Sequence, residues 1–242
     1  MAPLISIITI TYNAAKVLPP TVDSIMAQSF RDFEHIVVDG ASTDDTLAIA
    51  RRNPSARILS EPDRGLYDAM NKGLHLARGR YVLFLNAGDA FHSPDVLAAY
   101  AERAKMDDDI IYADTVIVNT ERKVTGNRHH TAPQRLSFES FSKGMLICHQ
   151  AFMVKRSLAP DYNLAYRFSA DYDWTIRCIR NSNPDRNTNL NLIAIDYLSN
   201  GLTDKNHFKS LRERYRIMCK YYGSIPTLLH HIALVGKSVF KH

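Results

Sequence analysis

Polar side chains that can bind an anion or a metal ion recur along the first 90 residues, each time after a short apolar run. They are Thr11, Tyr12 and Asn13, then Asp39, then Glu61, Asp63 and Arg64, and finally Asn86 and Asp89. Carboxylate and amide oxygens are suitable ligands for Mg²⁺ or Mn²⁺, and helix N-termini bind anions. A crevice that collects these groups can therefore bind an anionic ligand together with a divalent cation.

A second group of polar residues lies in the other half of the chain. His149 and Gln150 precede a predicted strand, and Asp171 and Asp173 begin a predicted helix over 171–180. A hydroxyl group has a pKa far above 7, so its attack on an electrophile needs a general base within hydrogen-bond reach, and a carboxylate can serve. The competing interpretation is that both acids only stabilise the N-terminus of the helix, where negative charge is favoured.

The elements that would position these groups alternate between strands and helices. Apolar, β-branched runs predict strands at 4–11, 33–38, 56–59 and 81–85. Apolar residues at helical spacing predict helices that begin at Pro19-Pro20 and Ser93-Pro94, and helices over 44–52 and 67–78. Further strands are predicted at 110–118, 151–154 and 192–197, with a loop at 120–135.

This alternation predicts an α/β fold with a mostly parallel central sheet covered by helices on both faces. In such sheets ligands bind beyond the carboxyl ends of the strands, where the loops diverge. Because the polar residues of the first half all follow strands, we expect them to share one rim of the sheet.

Four motifs occur in order at the ends of the predicted strands. They are SIITITYN at 6–13, VVDGASTDDT at 37–46, DRGLYDAMNKG at 63–73 and LNAGD at 85–89. Together they resemble the nucleotide-sugar-binding half of the family 2 glycosyltransferases with the GT-A fold, with a thinner resemblance as far as about residue 203. The resemblance implies an inverting enzyme of the hexosyltransferase class. It would move a sugar from a nucleotide diphosphate donor, with UDP-sugars favoured, to a hydroxyl of a glycan or lipid-linked acceptor.

The resemblance also assigns roles to the donor-binding residues. Thr11, Tyr12 and Asp39 lie in the two motifs that hold the base and ribose of the donor. Many members have a second acid where this chain has Gly40, so the contact to the base is expected to be rearranged. Further donor contacts are expected from Asn13, Asp63, Arg64, Asn71 and Asn86.

Residues 86–89 occupy the place of the family's D-x-D type metal motif. Mg²⁺ or Mn²⁺ would there neutralise the charge that develops on the leaving nucleoside diphosphate, and Asp89 is the expected ligand. Asn86 is neutral and Gly88 has no side chain, so the metal is expected to bind weakly before the donor arrives. An ordinary Asx turn is the alternative interpretation of this run.

The resemblance places the general base at Asp171, although the acid that often precedes it in the family is Ala170 here. Asp173 is the fallback base. The residues expected on the acceptor side are His149, Gln150, Asp173 and Trp174. The run SNGLT at 199–203 resembles the family's Gly-Gly-x-Ser segment near the donor phosphates.

The chain of 242 residues is long enough for one domain with an appendage. We predict a glycosyltransferase domain at 1–203, with a nucleotide-sugar-binding half at 1–105 and an acceptor half at 106–203, followed by a basic helical tail at 204–242. From Lys205 onward there are eight Lys or Arg residues and one Glu, a net charge of +7 within a chain of net charge +5. The tail is expected either to bind an anionic membrane surface or to pack on the domain with a solvated basic face. Nucleic acid is not an expected partner, because no recognition fold accompanies the patch.

The N-terminal sequence lacks the basic region and cleavage site of a signal peptide, and no run of about 18 apolar residues predicts a membrane span. The three cysteines form no CxxC pair, which is typical of a reducing compartment. We therefore predict a cytoplasmic protein, either free or peripheral on the inner face of the membrane.

Competing functions make different demands on the same elements. A nicotinamide dehydrogenase needs a glycine-rich turn after the first strand, and a sugar nucleotidyltransferase needs a glycine-rich basic loop there, whereas this chain has TYNAA at 11–15. The remaining alternative is a non-catalytic surface-binding or scaffold protein that keeps the donor fold. Its support is the replacement of family acids by Gly40, Gly88 and Ala170.

Overall fold

The computed structural model describes residues 2–128, 130–199 and 207–229. In these ranges the strands are β1 (Ile5–Thr11), β2 (Phe33–Asp39), β3 (Ala56–Ser60), β4 (Tyr81–Phe84), β5 (Ala90–Phe91), β6 (Ile110–Val118), β7 (Val124–Asn127), β8 (Phe152–Lys155) and β9 (Asn187–Leu198). The α-helices with determined bounds are α1 (Leu18–Met26), α2 (Thr46–Ala50), α3 (Leu66–Leu76), α4 (Val96–Lys105), α5 (Ala170–Asn181) and α6 (His207–Tyr222). The strands form one sheet in the order β3-β2-β1-β4-β8-β6-β9-β5, with β7 paired to β6.

The first half of the chain builds the parallel part of the sheet. Strand β1 is buried along its whole length, as expected for a β-branched run with apolar residues on both faces. It pairs in parallel with β2 and β4, and β2 pairs in parallel with β3. Thr11, Asp39 and Ser60 are partners in register, so three strands end in line at one edge. That edge is the rim predicted from the sequence.

The second half of the sheet is mixed. Strand β8 runs antiparallel between β4 and β6, while β6 and β9 pair in parallel. The α/β class and the GT-A type of architecture are confirmed, but the parallel arrangement is confined to the first four strands in the sheet order and the β6–β9 pair. Antiparallel β8 was not foreseen, because a strand covered on both faces shows the same apolar run in either direction.

Helices cover both faces of the sheet, as predicted. Helices α3, α5 and α6 pack on one face, where Met70, Trp174 and Ile217 join the core around Ile8 and Val38. Helices α1, α2 and α4 pack on the other face. Representative core residues there are Ile5, Ile7, Leu18, Val22, Val37, Leu97 and Tyr100.

Three local predictions were wrong. The predicted loop at 120–135 contains β7, which pairs with β6 despite its exposed, polar sequence. The helix expected to begin at Ser93-Pro94 begins at Val96. Strand β9 is twice as long as the segment predicted at 192–197, because its first half carries polar residues. One of these, Asn189, is buried and donates hydrogen bonds to backbone carbonyls of the neighbouring loop, so burial did not require an apolar side chain there.

The basic C-terminal segment packs on the domain over the residues that are described. In α6, Ser210, Ile217 and Met218 are buried. The Glu213 carboxylate accepts hydrogen bonds from the backbone N–H groups of residues 167–169 at 2.8–3.0 Å, just ahead of α5. The described helix therefore packs on the domain through one face, while positions 208, 212 and 216 on its outward face are exposed. Residues 204–206 and 230–242 of the predicted tail, and most of the 199–203 motif, lie outside the described residues. Within the described part of the chain, no helix is both long and apolar enough to cross a bilayer.

A buried histidine in strand β2 makes the stability of the fold depend on pH. His35 is 1% exposed, and its ring contacts Thr9 Oγ1 and the Asn53 amide, each at 3.1 Å. Burial lowers the pKa of His35 to about 4. The folded-state pKa lies below the unfolded value of about 6.5. The stability that depends on a neutral His35 is therefore fully present above pH 6.5 and is lost as the pH falls towards 4.

We expect the free energy of unfolding of the wild type to fall by roughly 2 to 3 kcal/mol more than that of His35→Gln between pH 7.5 and pH 4.5. Glutamine can keep the contacts to Thr9 and Asn53 but cannot take up a proton. Urea unfolding of both proteins at the two pH values measures the difference. If the free energies of unfolding of the two proteins fall by the same amount, His35 takes up a proton in the folded protein as readily as in the unfolded chain, and the prediction is wrong.

Candidate active site

The ends of the first three strands are joined by the carboxylate of Asp39. It is fully buried and accepts hydrogen bonds from Thr11 Oγ1 at 3.0 Å, from Ser60 Oγ at 2.8 Å, and from both the N–H and the hydroxyl of Ser42. Burial raises the pKa of Asp39, but these hydrogen bonds outweigh it and hold the pKa below its usual range. Four donors match the four lone-pair sites of a carboxylate. Asp39 and Thr11 thus hold the strand ends together, and the oxygens of Asp39 are saturated with hydrogen bonds.

The loop after β1 is fastened to the loop after β2. Asn13 has a left-handed backbone (φ 46°), and its side-chain oxygen accepts a hydrogen bond from the Thr43 N–H at 2.9 Å. Its own N–H donates to Ser42 Oγ at 2.8 Å. Tyr12, the residue before Asn13, is 68% exposed. Asn13, which was predicted to contact the sugar-nucleotide donor, therefore fixes the loop, and the neighbouring Tyr12 ring is exposed at the rim.

The loop between β3 and α3 brings further predicted residues to the same edge. Asp63 Oδ1 accepts a hydrogen bond from the Gly65 N–H at 2.8 Å. The Arg64 guanidinium is largely exposed and pairs with Asp68 at 2.9 Å. Asn71 lies deeper in α3, where its amide bonds both the N–H and the carbonyl of Tyr162, at 2.7 and 3.1 Å. The structure places Asp63 and Arg64 at the rim, whereas it gives Asn71 the role of holding Tyr162.

The carboxylate expected to bind metal lies in the loop after β4. Asp89 is 5% exposed and accepts a hydrogen bond from the Leu198 N–H at 2.9 Å, at the carboxyl end of β9. Burial raises the pKa of Asp89 to about 7, against the opposing effects of the Leu198 N–H, the Arg122 guanidinium and the Gln150 side chain. The Arg122 side chain also donates to the carbonyl of Gly88 at 2.7 Å, so a cation lies against this loop.

A divalent ion fits this loop by the chemistry of its oxygens. The side-chain oxygen of Asn86 is buried and has no hydrogen-bond partner in the described structure. An unsatisfied amide oxygen next to a carboxylate suits Mg²⁺ or Mn²⁺, which prefer oxygen ligands. Over the described ranges no three His, Cys, Asp or Glu side chains cluster as a metal site. An ion held by Asn86 and Asp89 would therefore complete its coordination with phosphate and water.

The predicted base lies in the first turn of α5. Asp171 is half-buried, and its Oδ1 accepts a hydrogen bond from the Tyr67 hydroxyl at 3.1 Å. His149 contacts the Tyr162 hydroxyl. Burial lowers the pKa of His149 to about 4, although the Asp171 charge opposes this. His149 is therefore neutral at physiological pH, and the half-buried carboxylate of Asp171 is the acidic side chain next to it.

The segment at 148–150 lies between the predicted metal ligand and the predicted base. The Gln150 side chain is close enough to Asp89 to lower the pKa of that acid, and the neighbouring His149 lies within electrostatic range of Asp171. Tyr67 also connects Asp171 to the start of α3, only four residues after Asp63. Asp171 is thereby placed near the start of α3, which follows the loop that carries Asp63, and near the segment that contains His149.

Two residues expected on the acceptor side, Asp173 and Trp174, have fully buried side chains. Asp173 is fully buried and binds Arg177 at 2.7 Å, Lys220 at 3.2 Å and the Tyr221 hydroxyl at 2.8 Å, which fixes α6 to α5. Trp174 is fully buried and donates to a backbone carbonyl at 2.6 Å. Neither side chain lines the crevice, because successive residues of a helix point in different directions.

Sequence reasoning missed Tyr67, Tyr162 and Arg122. Tyr67 lies inside the motif at 63–73 and could have been found there, since a tyrosine at the start of a helix faces the rim. Tyr162 stacks between Tyr67 and Trp174 with ring centroids 5.6 and 4.9 Å apart. No motif surrounds Tyr162 or Arg122, so their roles appear only in three dimensions.

Comparison with known proteins identifies the family. The family model described as Glycosyl transferase family 2 matches residues 6–173, which include the predicted metal ligand Asp89 and the predicted base Asp171. The chain belongs to glycosyl transferase family 2. The family 2 assignment confirms the resemblance carried by the four motifs and makes the chain a glycosyltransferase.

Curated relatives cover most of the chain. The PGL/p-HBAD biosynthesis glycosyltransferase of Mycobacterium bovis is 39% identical over 226 residues, covering 87% of this chain and 84% of the relative. WfaP of Escherichia coli is named as a UDP-Glc:alpha-D-GlcNAc-diphosphoundecaprenol beta-1,3-glucosyltransferase. It is 25% identical over 252 residues, covering 94% of this chain and 95% of WfaP.

Two solved structures share the fold of this chain. TarS 1-349 of S. aureus superposes with a TM-score of 0.73 at 18% identity, over 96% of this chain and 72% of TarS 1-349. The same fragment was also solved in complex with UDP. The mannosyltransferase PcManGT of Pyrobaculum calidifontis, in complex with GDP-Man and Mn2+, superposes with a TM-score of 0.64 at 17% identity, over 98% of this chain and 76% of PcManGT.

Proposed function

We propose that this glycosyltransferase moves a sugar from a nucleoside diphosphate donor to an acceptor hydroxyl with inversion, and that Asp171 is the general base. The observation that carries the proposal is the setting of Asp171. Its carboxylate accepts a hydrogen bond from the Tyr67 hydroxyl and lies within electrostatic range of His149, a histidine kept neutral by burial.

The reaction needs a proton acceptor and a place for the leaving charge. Asp171 removes the proton of the acceptor hydroxyl as that oxygen bonds to the anomeric carbon. The bond from the anomeric carbon to the donor diphosphate breaks on the opposite face, and its electron pair leaves with the diphosphate. Asn86 and Asp89 would hold Mg²⁺ or Mn²⁺, which supplies positive charge to the leaving group when bound. Arg122 adds fixed positive charge beside the same loop.

The donor class has a direct test. Structural neighbours contain UDP in one case and GDP-Man with Mn2+ in another, so both nucleotides and both ions belong in the screen. We expect a UDP-sugar to raise the melting temperature of the protein most in the presence of Mg²⁺ or Mn²⁺, since bound ligand stabilises the folded state. That sugar nucleotide should then release its nucleoside diphosphate. A protein that binds no sugar nucleotide and releases none would instead be a non-catalytic scaffold.

We propose further that the acceptor is lipid-linked and that the outward face of α6 contacts an anionic membrane. The E. coli relative is named for a diphosphoundecaprenol acceptor. On α6 the exposed positions 208, 211, 212 and 216 form one stripe, in which Phe208 is 86% exposed and lies near Arg212 and Arg216. Cations at the phosphates and apolar side chains at the headgroup level suit a helix lying on a bilayer. Such contact would place the enzyme on the inner face of the membrane.

The double variant Arg212→Gln/Arg216→Gln should bind vesicles that contain phosphatidylglycerol about 30-fold more weakly, because each cation near the surface contributes about 1 kcal/mol. Co-sedimentation at low salt measures the change. The matched control is Arg51→Gln/Arg78→Gln, which removes the same charge from exposed positions outside α6. If both double variants lose the same vesicle affinity, the effect comes from net charge alone, and the proposed contact between α6 and the membrane is wrong.

A further inference from the structure

Gly40 leaves room for the carboxylate of Asp63, which lies where a side chain at position 40 would begin. A Cβ atom built on Gly40 would lie 2.5 Å from Asp63 Oδ2 and 3.3 Å from Tyr12 Cδ2. Real Cβ atoms do not approach other heavy atoms to 2.5 Å, so a side chain at position 40 would displace the Asp63 carboxylate. The backbone of Gly40 is not in the left-handed region. The glycine therefore provides space, and the group that uses the space is the carboxylate of Asp63.

The two acids at this corner of the rim differ in what they can still bind. Asp39 already accepts four hydrogen bonds from Thr11, Ser42 and Ser60. Asp63 accepts one, at Oδ1, from the Gly65 N–H. Its Oδ2 receives none from the described residues and lies over Gly40, close to the exposed ring of Tyr12. The corner therefore presents one available carboxylate oxygen beside one aromatic face.

We infer that Asp63, rather than Asp39, reads the base of the nucleotide: its Oδ2 accepts the N3–H of a uracil-type ring that stacks on Tyr12. This inference rests on the proposed function, because it concerns the donor of the same reaction. A stacked ring on an exposed tyrosine is a favourable arrangement for any base, so the carboxylate supplies the discrimination.

The hydrogen-bonding pattern of the bases decides which nucleotides fit. Uracil and thymine carry one N–H at position 3, which a single carboxylate oxygen can accept. Cytosine has no hydrogen on N3, and adenine none on N1, so each would set a lone pair against the carboxylate. Guanine offers adjacent N1–H and N2–H donors that call for both oxygens, and Oδ1 of Asp63 is committed to Gly65. UDP or dTDP is therefore favoured over CDP, ADP and GDP.

The same geometry explains the departure from the family pattern at position 40. Many members carry an acid there, and in this chain a side chain at that position and the Asp63 carboxylate exclude one another. The acid that faces the base thus comes from the loop after β3 instead of the loop after β2. Gly40→Ala should consequently weaken nucleotide binding by pushing Asp63 aside, although Asp63 itself is unchanged.

Calorimetric titration with UDP and 3-methyl-UDP tests the contact, because methylation removes the N3–H and leaves the diphosphate intact. The wild type should bind UDP about 10- to 100-fold more tightly than 3-methyl-UDP, as expected for a hydrogen bond to a charged group. In Asp63→Asn the Gly65 N–H will hold the amide oxygen and turn the amino group towards the base. That variant should lose UDP affinity by a similar factor and prefer CDP, whose N3 is an acceptor.

Controls separate the contact from general damage to the loop. Glu61→Gln changes an acid of the same loop that pairs with Lys72 at 2.8 Å, and should keep the preference for UDP over 3-methyl-UDP. Equal binding of dTDP and UDP supports the assignment, since both carry N3–H. Equal binding of UDP and 3-methyl-UDP by the wild type, tightest binding of GDP, or an unchanged preference in Asp63→Asn each overturns it and leaves the proposed function standing. Failure of the wild type to bind any nucleoside diphosphate would remove the proposed function itself.

Discussion

Asp171→Asn will lower the turnover number by roughly 10²- to 10⁴-fold and leave the affinity for the nucleotide unchanged to within a factor of about two. Asparagine keeps the size of the side chain and can still accept the hydrogen bond from Tyr67, but it cannot take a proton. The donor identified by the nucleotide-sugar screen, with calorimetry for binding and release of nucleoside diphosphate for turnover, provides both measurements.

The neighbouring acid provides a sharp comparison for this experiment. Asp173→Asn removes the charge that pairs with Arg177 and Lys220 in the interior, so we expect lower stability with a near-normal turnover number below the melting temperature. Asp161→Asn changes an exposed acid paired with His75 and should change neither quantity. Near-normal turnover by Asp171→Asn would exclude it as the base. A loss of turnover in Asp173→Asn at full stability would move the role two residues along the helix.

The parallel part of the fold could be predicted because its signal is local. The strands β1, β2 and β4 are largely apolar and lead into polar residues, and parallel strands bring those ends to one edge. The predicted rim therefore followed from composition and order alone. Strand β7 could not be foreseen in this way, since its residues are mostly exposed and its pairing with β6 depends on backbone hydrogen bonds that any sequence can make.

The candidate site was predictable in its members and less so in their roles. The position of Asp39 at a strand end is evident from the sequence, whereas its saturation depends on Ser42 and Ser60 arriving from two other segments. Asn71 and Tyr162 are 91 residues apart, and their hydrogen bonds exist only once the acceptor half has folded onto α3. Motifs thus identify which residues meet at the rim, and long-range contacts decide which of them remain free to bind.

Asp89→Asn will abolish the gain in UDP affinity that Mn²⁺ provides, a loss we expect to be at least 100-fold, and will leave the metal-free affinity nearly unchanged. Asn86 is neutral, so Asp89 would be the negatively charged ligand of this motif, and a site of two amides would have little attraction for a divalent ion. Titration of UDP with Mn²⁺ and with a chelator, on the wild type and the variant, gives the four affinities required. An undiminished effect of Mn²⁺ in the variant would place the ion elsewhere.

A loss of metal response could also reflect a damaged loop, and the burial of Asp89 separates the two explanations. Burial raises the pKa of this acid to about 7, above its value of about 3.8 in the unfolded chain. The ionised form therefore costs stability, in a contribution that grows as the pH rises from 4 to 7. An amide of the same shape avoids this cost and can still accept from the Leu198 N–H. At pH 8 without metal the variant should therefore have a melting temperature no lower than that of the wild type. If metal-dependent binding is lost while this stability is kept, the loss identifies Asp89 as a metal ligand.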